Sequence, residues 1–115
     1  MAIYENLPVF KQTYDLLLEV YGLSKNLSRD YRYTLGEEIK KRVMAMMVCI
    51  YRANSSAGEV KTAHLKNARE CVVEIKLHIR LLSDLKQIGF SKQAVLTEHI
   101  ESISKQITAW AKSVK

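Results

Sequence analysis

The three histidines and two cysteines are the side chains best suited to chemistry, and their spacing forms no catalytic or metal-binding pattern. Carboxylate-bridged metal bundles use Glu-x-x-His, with a glutamate three residues before the histidine. Lys61, Ile75 and Leu96 occupy that position before the three histidines. No His-Glu-x-x-His or Cys-x-x-Cys segment occurs, and the four glycines are isolated rather than gathered in a phosphate-binding loop. We therefore predict that the protein is not an enzyme and uses neither a metal ion nor another cofactor.

The two cysteines, Cys49 and Cys71, each lie in an apolar helical segment. A cysteine paired with a histidine can act as a nucleophile, but a helical cysteine among methionine and isoleucine side chains is typical of a protein core. We predict free, buried thiols in a reducing compartment. No leader-like segment opens the chain, and no apolar run approaches the roughly 18 residues that span a bilayer. The expected location is the cytoplasm, without a membrane partner.

The basic residues carry the stronger functional signal. The 115 residues include 18 Lys and Arg against 12 Asp and Glu, a formal net charge of +6. The segment from position 61 to position 92 contains seven basic residues and three acidic ones. Arg69, Lys76 and Arg80 are seven and four residues apart, so they share one face of a helix. This face is suited to a phosphate backbone, although a solvated face with ion pairs to neighbouring acids gives the same pattern.

The apolar residues predict four helices. Pro8 suits the first position of helix one, and the segment 26–33 is expected to be a loop. Thr34 and Glu37 fit a capping box at the start of helix two. The turn-forming residues 54–58 end that helix.

The third helix is expected from Glu59 to Gln87, with Gly89 as its C-terminal cap, and the fourth begins near Ser91. Four apolar stripes at helical spacing give the predicted core: Phe10, Tyr14, Leu17 and Tyr21; Leu35, Ile39, Val43, Met46 and Ile50; Ala68, Val72, Ile75, Ile79 and Leu82; Leu96, Ile100, Ile103, Ile107, Trp110 and Val114. Short connections make consecutive helices antiparallel. The predicted fold is all-α, an up-down-up-down antiparallel four-helix bundle forming a single domain over residues 1–115.

Helices one and three carry apolar residues beyond one core-facing stripe. On helix three a second row includes Leu77, Leu81, Leu85 and Ile88. Surplus apolar surface usually marks an interface, so we expect a homo-oligomer. The alternative is that the wider stripes face two neighbours within one bundle.

Several short segments together resemble a known family. They are 32–36 (RYTLG), 53–54 (AN), 80–86 (RLLSDLK), Trp110 and 112–113 (KS). In this order and spacing the sequence resembles the accessory variability determinant proteins of diversity-generating retroelements. These are small basic proteins in a wider four-helix-bundle group that includes proteins encoded in intervening sequences of large-subunit ribosomal RNA genes. The resemblance covers roughly residues 9–114.

The resemblance implies a homopentameric barrel of bundles with a positive surface. It implies a reverse transcriptase as partner and binding of template RNA or a cDNA–RNA hybrid during mutagenic retrohoming, without catalysis. Two alternatives remain: an intervening-sequence-type bundle of unknown role, and a structural oligomer whose charge serves only solubility. Arg32 and Arg80 fall in matching segments, and the other candidates rest on charge. The candidate contacts to RNA, DNA or the polymerase are Arg32, Lys40, Lys41, Arg52, Lys66, Arg69, Lys76 and Arg80.

Overall fold

Four long helices and one single-turn helix make up most of the structure, a computed structural model that describes residues 3–114. A short 3-10 turn at Tyr4–Asn6 precedes them. The helices are α1 (Pro8–Ser24), α2 (Arg29–Arg32), α3 (Leu35–Asn54), α4 (Gly58–Asp84) and α5 (Phe90–Ser113). The described residues contain no β-strand. None of the helices described there is long and apolar enough to cross a membrane.

The long helices form a ring in which each packs against two others. The most extensive packing is between α3 and α4, followed by α4 with α5 and α1 with α3, and a smaller contact between α1 and α5 closes the ring. The bundle measures 45 × 22 × 22 Å. With its 27 residues, α4 spans roughly 40 Å of that length. The structure confirms the all-α, up-down-up-down four-helix bundle.

The core consists of the predicted stripes of α3, α4 and α5. The side chains of Ile39, Val43, Met46 and Ile50 on α3 are fully buried. The predicted row of α4 and the first four residues of the α5 row, from Leu96 to Ile107, are buried opposite them. Since each of these stripes has one dominant helical spacing, the sequence identifies the inward face correctly.

The predicted core stripe of α1 is wrong. Tyr14 and Tyr21 are about half exposed, at 49% and 48%, and Leu17 is the member of that row that is buried. The core is instead filled by Val9, Leu16, Leu17, Val20 and Leu23. This helix is apolar on most of its circumference, so two spacings fit it. The aliphatic row is better suited to close packing, whereas a tyrosine keeps its hydroxyl in water.

The predicted capping box at the start of α3 does not form. The Thr34 hydroxyl donates to the carbonyl oxygens of Asp30 and Tyr31, at 3.3 and 3.4 Å, and accepts no hydrogen bond from an N–H of α3. The segment expected to be a loop contains the single turn α2, and carbonyl oxygens of this turn accept the hydrogen bonds of the threonine hydroxyl. Glu37 forms an ion pair with Lys40 instead.

The turn between α4 and α5 also differs from the prediction. Helix α4 ends at Asp84, and Lys86 has a left-handed φ of 59°. The N–H of Lys86 donates to Ser83 O at 2.9 Å and that of Gln87 to Leu82 O at 2.8 Å. This pair of bonds is a Schellman motif with a lysine where glycine is usual. Gly89 is therefore the N-cap residue of α5 rather than the cap of α4.

Candidate nucleic-acid interface

The basic residues of α4 line an open groove between α4 and α5, referred to below as the α4–α5 groove. Lys66, Arg69 and Lys76 come from α4, and Ser104 and Thr108 face them from α5. The groove has a volume of about 450 Å³. Cations on one wall and hydroxyl groups on the other are the donors that contact phosphate oxygens.

Helical spacing explains why the α4 side chains that line the groove lie on one surface. Positions 66, 69, 73 and 76 recur every three or four residues, so they share a face of α4. Ala68, Val72 and Ile75 are buried between them and hold this face in place. Val73 lies within the row with 57% of its side chain exposed, which gives the groove an apolar patch.

The groove cations differ in how strongly they are neutralised. The Lys76 ammonium lies 2.5 Å from Glu101 Oε1, across the groove on α5. Within residues 3–114, no carboxylate lies within salt-bridge distance of Lys66 or Arg69. Glu70 also lines the groove and reduces its positive charge. Lys66 and Arg69 are therefore the cations most available to a polyanion.

Arg80 lies one helical turn beyond Lys76 on the same side of α4. Its guanidinium Nε is 3.6 Å from Asp84 Oδ2, and the two side chains are 78% and 66% exposed. An ion pair this exposed contributes little to stability. A phosphate could therefore replace Asp84 as the partner of Arg80 at little cost.

The sequence reasoning missed the contribution of α5. Ser104 and Thr108 line the groove, and the exposed Lys105 and Lys112 are four and eleven residues after Glu101. These positions therefore lie on or beside the α5 face that meets Lys76. The spacing from Glu101 is visible in the sequence. These α5 residues could not be assigned to the groove, because the sequence does not show how α5 is aligned along α4.

Arg32 is held by backbone groups away from the groove. Its Nη2 donates to the carbonyl oxygens of Lys25 and Leu27, at 3.1 and 3.3 Å, so it ties down the turn after α1. Arg52 is exposed in the last turn of α3. The structure does not bring these two arginines together with the α4 cations in one groove.

Lys40 and Lys41 lie on a different surface, where α1 packs against α3. Lys40 is paired with Glu37 at 2.5 Å, and its ammonium is 4.7 Å from the centroid of the Tyr21 ring. Lys41 is more exposed and lies 4.0 Å from Glu38. The predicted cations are therefore not gathered on one surface of the bundle.

The same face carries a group of exposed apolar side chains, named here the α1–α3 aromatic face. At one end Tyr4 makes edge-to-face contacts with Phe10 and Tyr51, with ring centroids 5.0 and 4.8 Å apart. The other exposed members of this face are Tyr14, Leu18, Tyr21, Met44 and Val48. Exposed apolar side chains grouped on one face are typical of an interaction surface.

The histidines and cysteines are used in packing and hydrogen bonds. The His78 ring is hydrogen-bonded to Glu74 O at 2.7 Å, and the His99 ring to Glu19 and to the Gln12 backbone. No group of three metal-ligating side chains occurs among the described residues. Burial raises the pKa of the Cys49 thiol and raises that of Cys71 to about 11, opposite to the shift that activates a nucleophile.

The fold of this chain, an up-down four-helix bundle, also occurs in a solved structure. A crystal structure of a protein of unknown function from the S23 ribosomal protein family, from Bacteroides thetaiotaomicron VPI-5482, superposes with a TM-score of 0.84. The two are 15% identical, and the match covers 96% of this chain and 100% of that one. This likeness shows the fold. No curated protein matches the sequence.

The family itself follows from the sequence match. The bAvd-like family matches residues 8–114, nearly the whole chain, and the protein belongs to that family. This membership confirms the resemblance drawn from the short segments of the sequence. At the level of the family, the chain is an Avd-like accessory protein.

Proposed function

We propose that this protein is a non-catalytic accessory protein that binds nucleic acid through the α4–α5 groove, together with the reverse transcriptase of a diversity-generating retroelement. Family membership supports the accessory role. The observation that carries nucleic-acid binding is the pair Lys66 and Arg69, exposed and without a carboxylate partner among the described residues, opposite hydroxyl groups of α5.

The groove is suited to the phosphate backbone rather than to the bases. Lys66 and Arg69 supply charge, and the hydroxyls of Ser104 and Thr108 can donate to phosphate oxygens. Such contacts carry no sequence information, so binding is expected to be indifferent to sequence. An exposed valine, Val73, lies between the cations and offers a surface for the sugar edge of a strand.

Self-association is the second part of the proposal. The α1–α3 aromatic face and the exposed Leu77 and Leu81 of α4 remain uncovered in the single chain. Covering them with further copies removes apolar surface from water. A homopentamer, which the family resemblance implies, places several copies of the basic groove in one particle.

The test is a salt series of nucleic-acid binding. Single-stranded RNA and duplex DNA are titrated with the wild type, with the double variant Lys66→Gln/Arg69→Gln, and with the matched control Lys11→Gln/Lys25→Gln. The control removes the same charge from exposed positions on and just after α1. Light scattering on each sample gives the subunit number.

The slope of log affinity against log salt measures the phosphates neutralised, about 0.7 per contact for single strands. Removing two contacts is therefore expected to lower the slope for RNA by about 1.4, while the control retains the wild-type slope. Equal losses in both variants would show that the groove is not the site. A monomer or dimer that does not bind nucleic acid would refute the proposed function. The alternative, a purely structural four-helix bundle, would then remain.

A further inference from the structure

The two cysteines of the sequence, which the proposed function does not use, meet across the interface between α3 and α4. Cys49 is on α3 and Cys71 is on α4, the two helices with the most extensive packing in the bundle, and each thiol is close enough to the other to affect its pKa. Both are free. A disulfide joins two cysteines whose backbones lie on neighbouring segments, and the packed helices α3 and α4 provide such a pair.

The two thiols differ in access to solvent. Cys71 is buried, with 7% of its surface exposed, whereas Cys49 is half-buried at the edge of the core. Cys49 also lies close enough to Arg52 for its positive charge to favour the thiolate. Arg42 acts in the same sense on Cys71. A small oxidant in solution therefore reaches Cys49 first and leaves Cys71 as the second, resolving thiol.

We propose that Cys49 and Cys71 form a reversible redox site, in which a hydroperoxide oxidises the two thiols to a disulfide that joins α3 to α4. The Cys49 thiolate attacks one peroxide oxygen and breaks the O–O bond. The product is a sulfenic acid, and the other oxygen leaves with the thiol proton as water or an alcohol. Cys71 Sγ then attacks the sulfenic sulfur, the S–S bond forms, and the sulfenic oxygen leaves as water. The two thiols lose two electrons and the peroxide gains them.

Because the two thiols are buried or half-buried, peroxide is expected to oxidise them slowly. Desolvation raises the pKa of both thiols, that of Cys71 to about 11, so little thiolate is present at neutral pH. Oxidation is therefore expected to accelerate as the pH rises from neutral toward 9. This property suits a response to sustained peroxide, and it leaves the reduced form dominant under ordinary cytoplasmic conditions.

The experiment follows the reduced full-length protein during treatment with hydrogen peroxide. Samples are denatured in N-ethylmaleimide, and intact mass and tryptic peptides are measured. Cleavage yields the peptides 43–52 and 70–76, which contain one cysteine each. The expected product has lost two hydrogens, takes up no maleimide, contains these two peptides linked, and returns to the starting mass with dithiothreitol.

Two variants separate the steps. Cys71→Ser is expected to stop at the Cys49 sulfenic acid, which dimedone traps, while Cys49→Ser leaves Cys71 largely unoxidised. Met44 is 45% exposed and serves as an internal measure of peroxide exposure. If Met44 becomes a sulfoxide while both cysteines still take up maleimide, the proposal is wrong. Disulfides that form only between chains, without the linked peptides in the monomer band, would also overturn it.

Discussion

The contact between α1 and α5 depends on a polar network, and His99 is its centre. One nitrogen of the His99 ring is 2.9 Å from Glu19 Oε1 and the other is 2.8 Å from the backbone oxygen of Gln12. Both partners accept hydrogen bonds, so the protonated ring can donate to both. Gln12 is bonded through its side chain to Ser102 and Gln106 of α5. We predict that His99→Ala weakens the packing of α1 against α5.

The magnitude follows from the two bonds that are lost. A hydrogen bond typically contributes about 1 kcal/mol, and one to a charged group about 1.5–3 kcal/mol before exposure is considered. The side chains of His99 and Glu19 are 16% and 30% exposed, so the charged bond is partly screened. The expected loss is about 2 kcal/mol in the free energy of unfolding, or a fall in Tm on the order of 10 °C.

Urea and thermal unfolding, followed by circular dichroism, measure this loss. A double-mutant cycle of His99→Ala with Glu19→Gln isolates the pair and is expected to give a coupling energy of about 1 kcal/mol. Glu98→Ala, at the exposed neighbouring position, is the control and should change stability by less than about 0.5 kcal/mol. A His99→Ala variant as stable as this control, or a coupling energy near zero, would refute the reasoning.

Four further substitutions test other features. Gly22→Ala should stabilise the fold by about 0.5–1 kcal/mol, since a Cβ there meets nothing within 4 Å. Gly36→Ala should stabilise it less, because the new Cβ meets Leu27 Cδ1 at 3.1 Å. Urea unfolding measures both changes in stability. Lys86→Gly should raise Tm, because its left-handed φ of 59° suits glycine; a lower Tm would contradict this. The raised pKa of Cys71 means that the unfolded chain loses the thiol proton at lower pH than the folded one, so stability should fall between pH 9.0 and about 11. Cys71→Val should flatten this decline, and an unchanged pH profile would argue against it.

The aliphatic stripes of α3, α4 and α5 could be predicted because one spacing dominates each of them. In α1 the aromatic row and the aliphatic row fit equally well, and packing decided between them. The end of α4 had no local signal, since a lysine occupies the left-handed position where glycine is expected. The capping box at Thr34 failed because a preceding turn of helix offered carbonyl groups to the same hydroxyl.

The candidate site was predicted only in part, for a related reason. The spacing of Arg69, Lys76 and Arg80 identified one face of α4, and Arg69 and Lys76 of this face line the groove. The facing hydroxyls of Ser104 and Thr108 depend on how α5 is aligned along α4, which a single sequence does not provide. Arg32 looked like a surface cation, but its partners are two backbone oxygens that come within reach only once the turn has folded.

The contact between α1 and α5, which closes the ring of helices, has a consequence for the folding pathway. Helices α3, α4 and α5 pack against their neighbours in the chain, whereas the bond from His99 to Gln12 joins residues 87 positions apart. Long loops cost entropy to close, so contacts between chain neighbours form early and the distant contact forms late. We expect the hairpin of α3 and α4 to be present in the transition state. Stopped-flow measurements should then show that His99→Ala accelerates unfolding and leaves the refolding rate nearly unchanged.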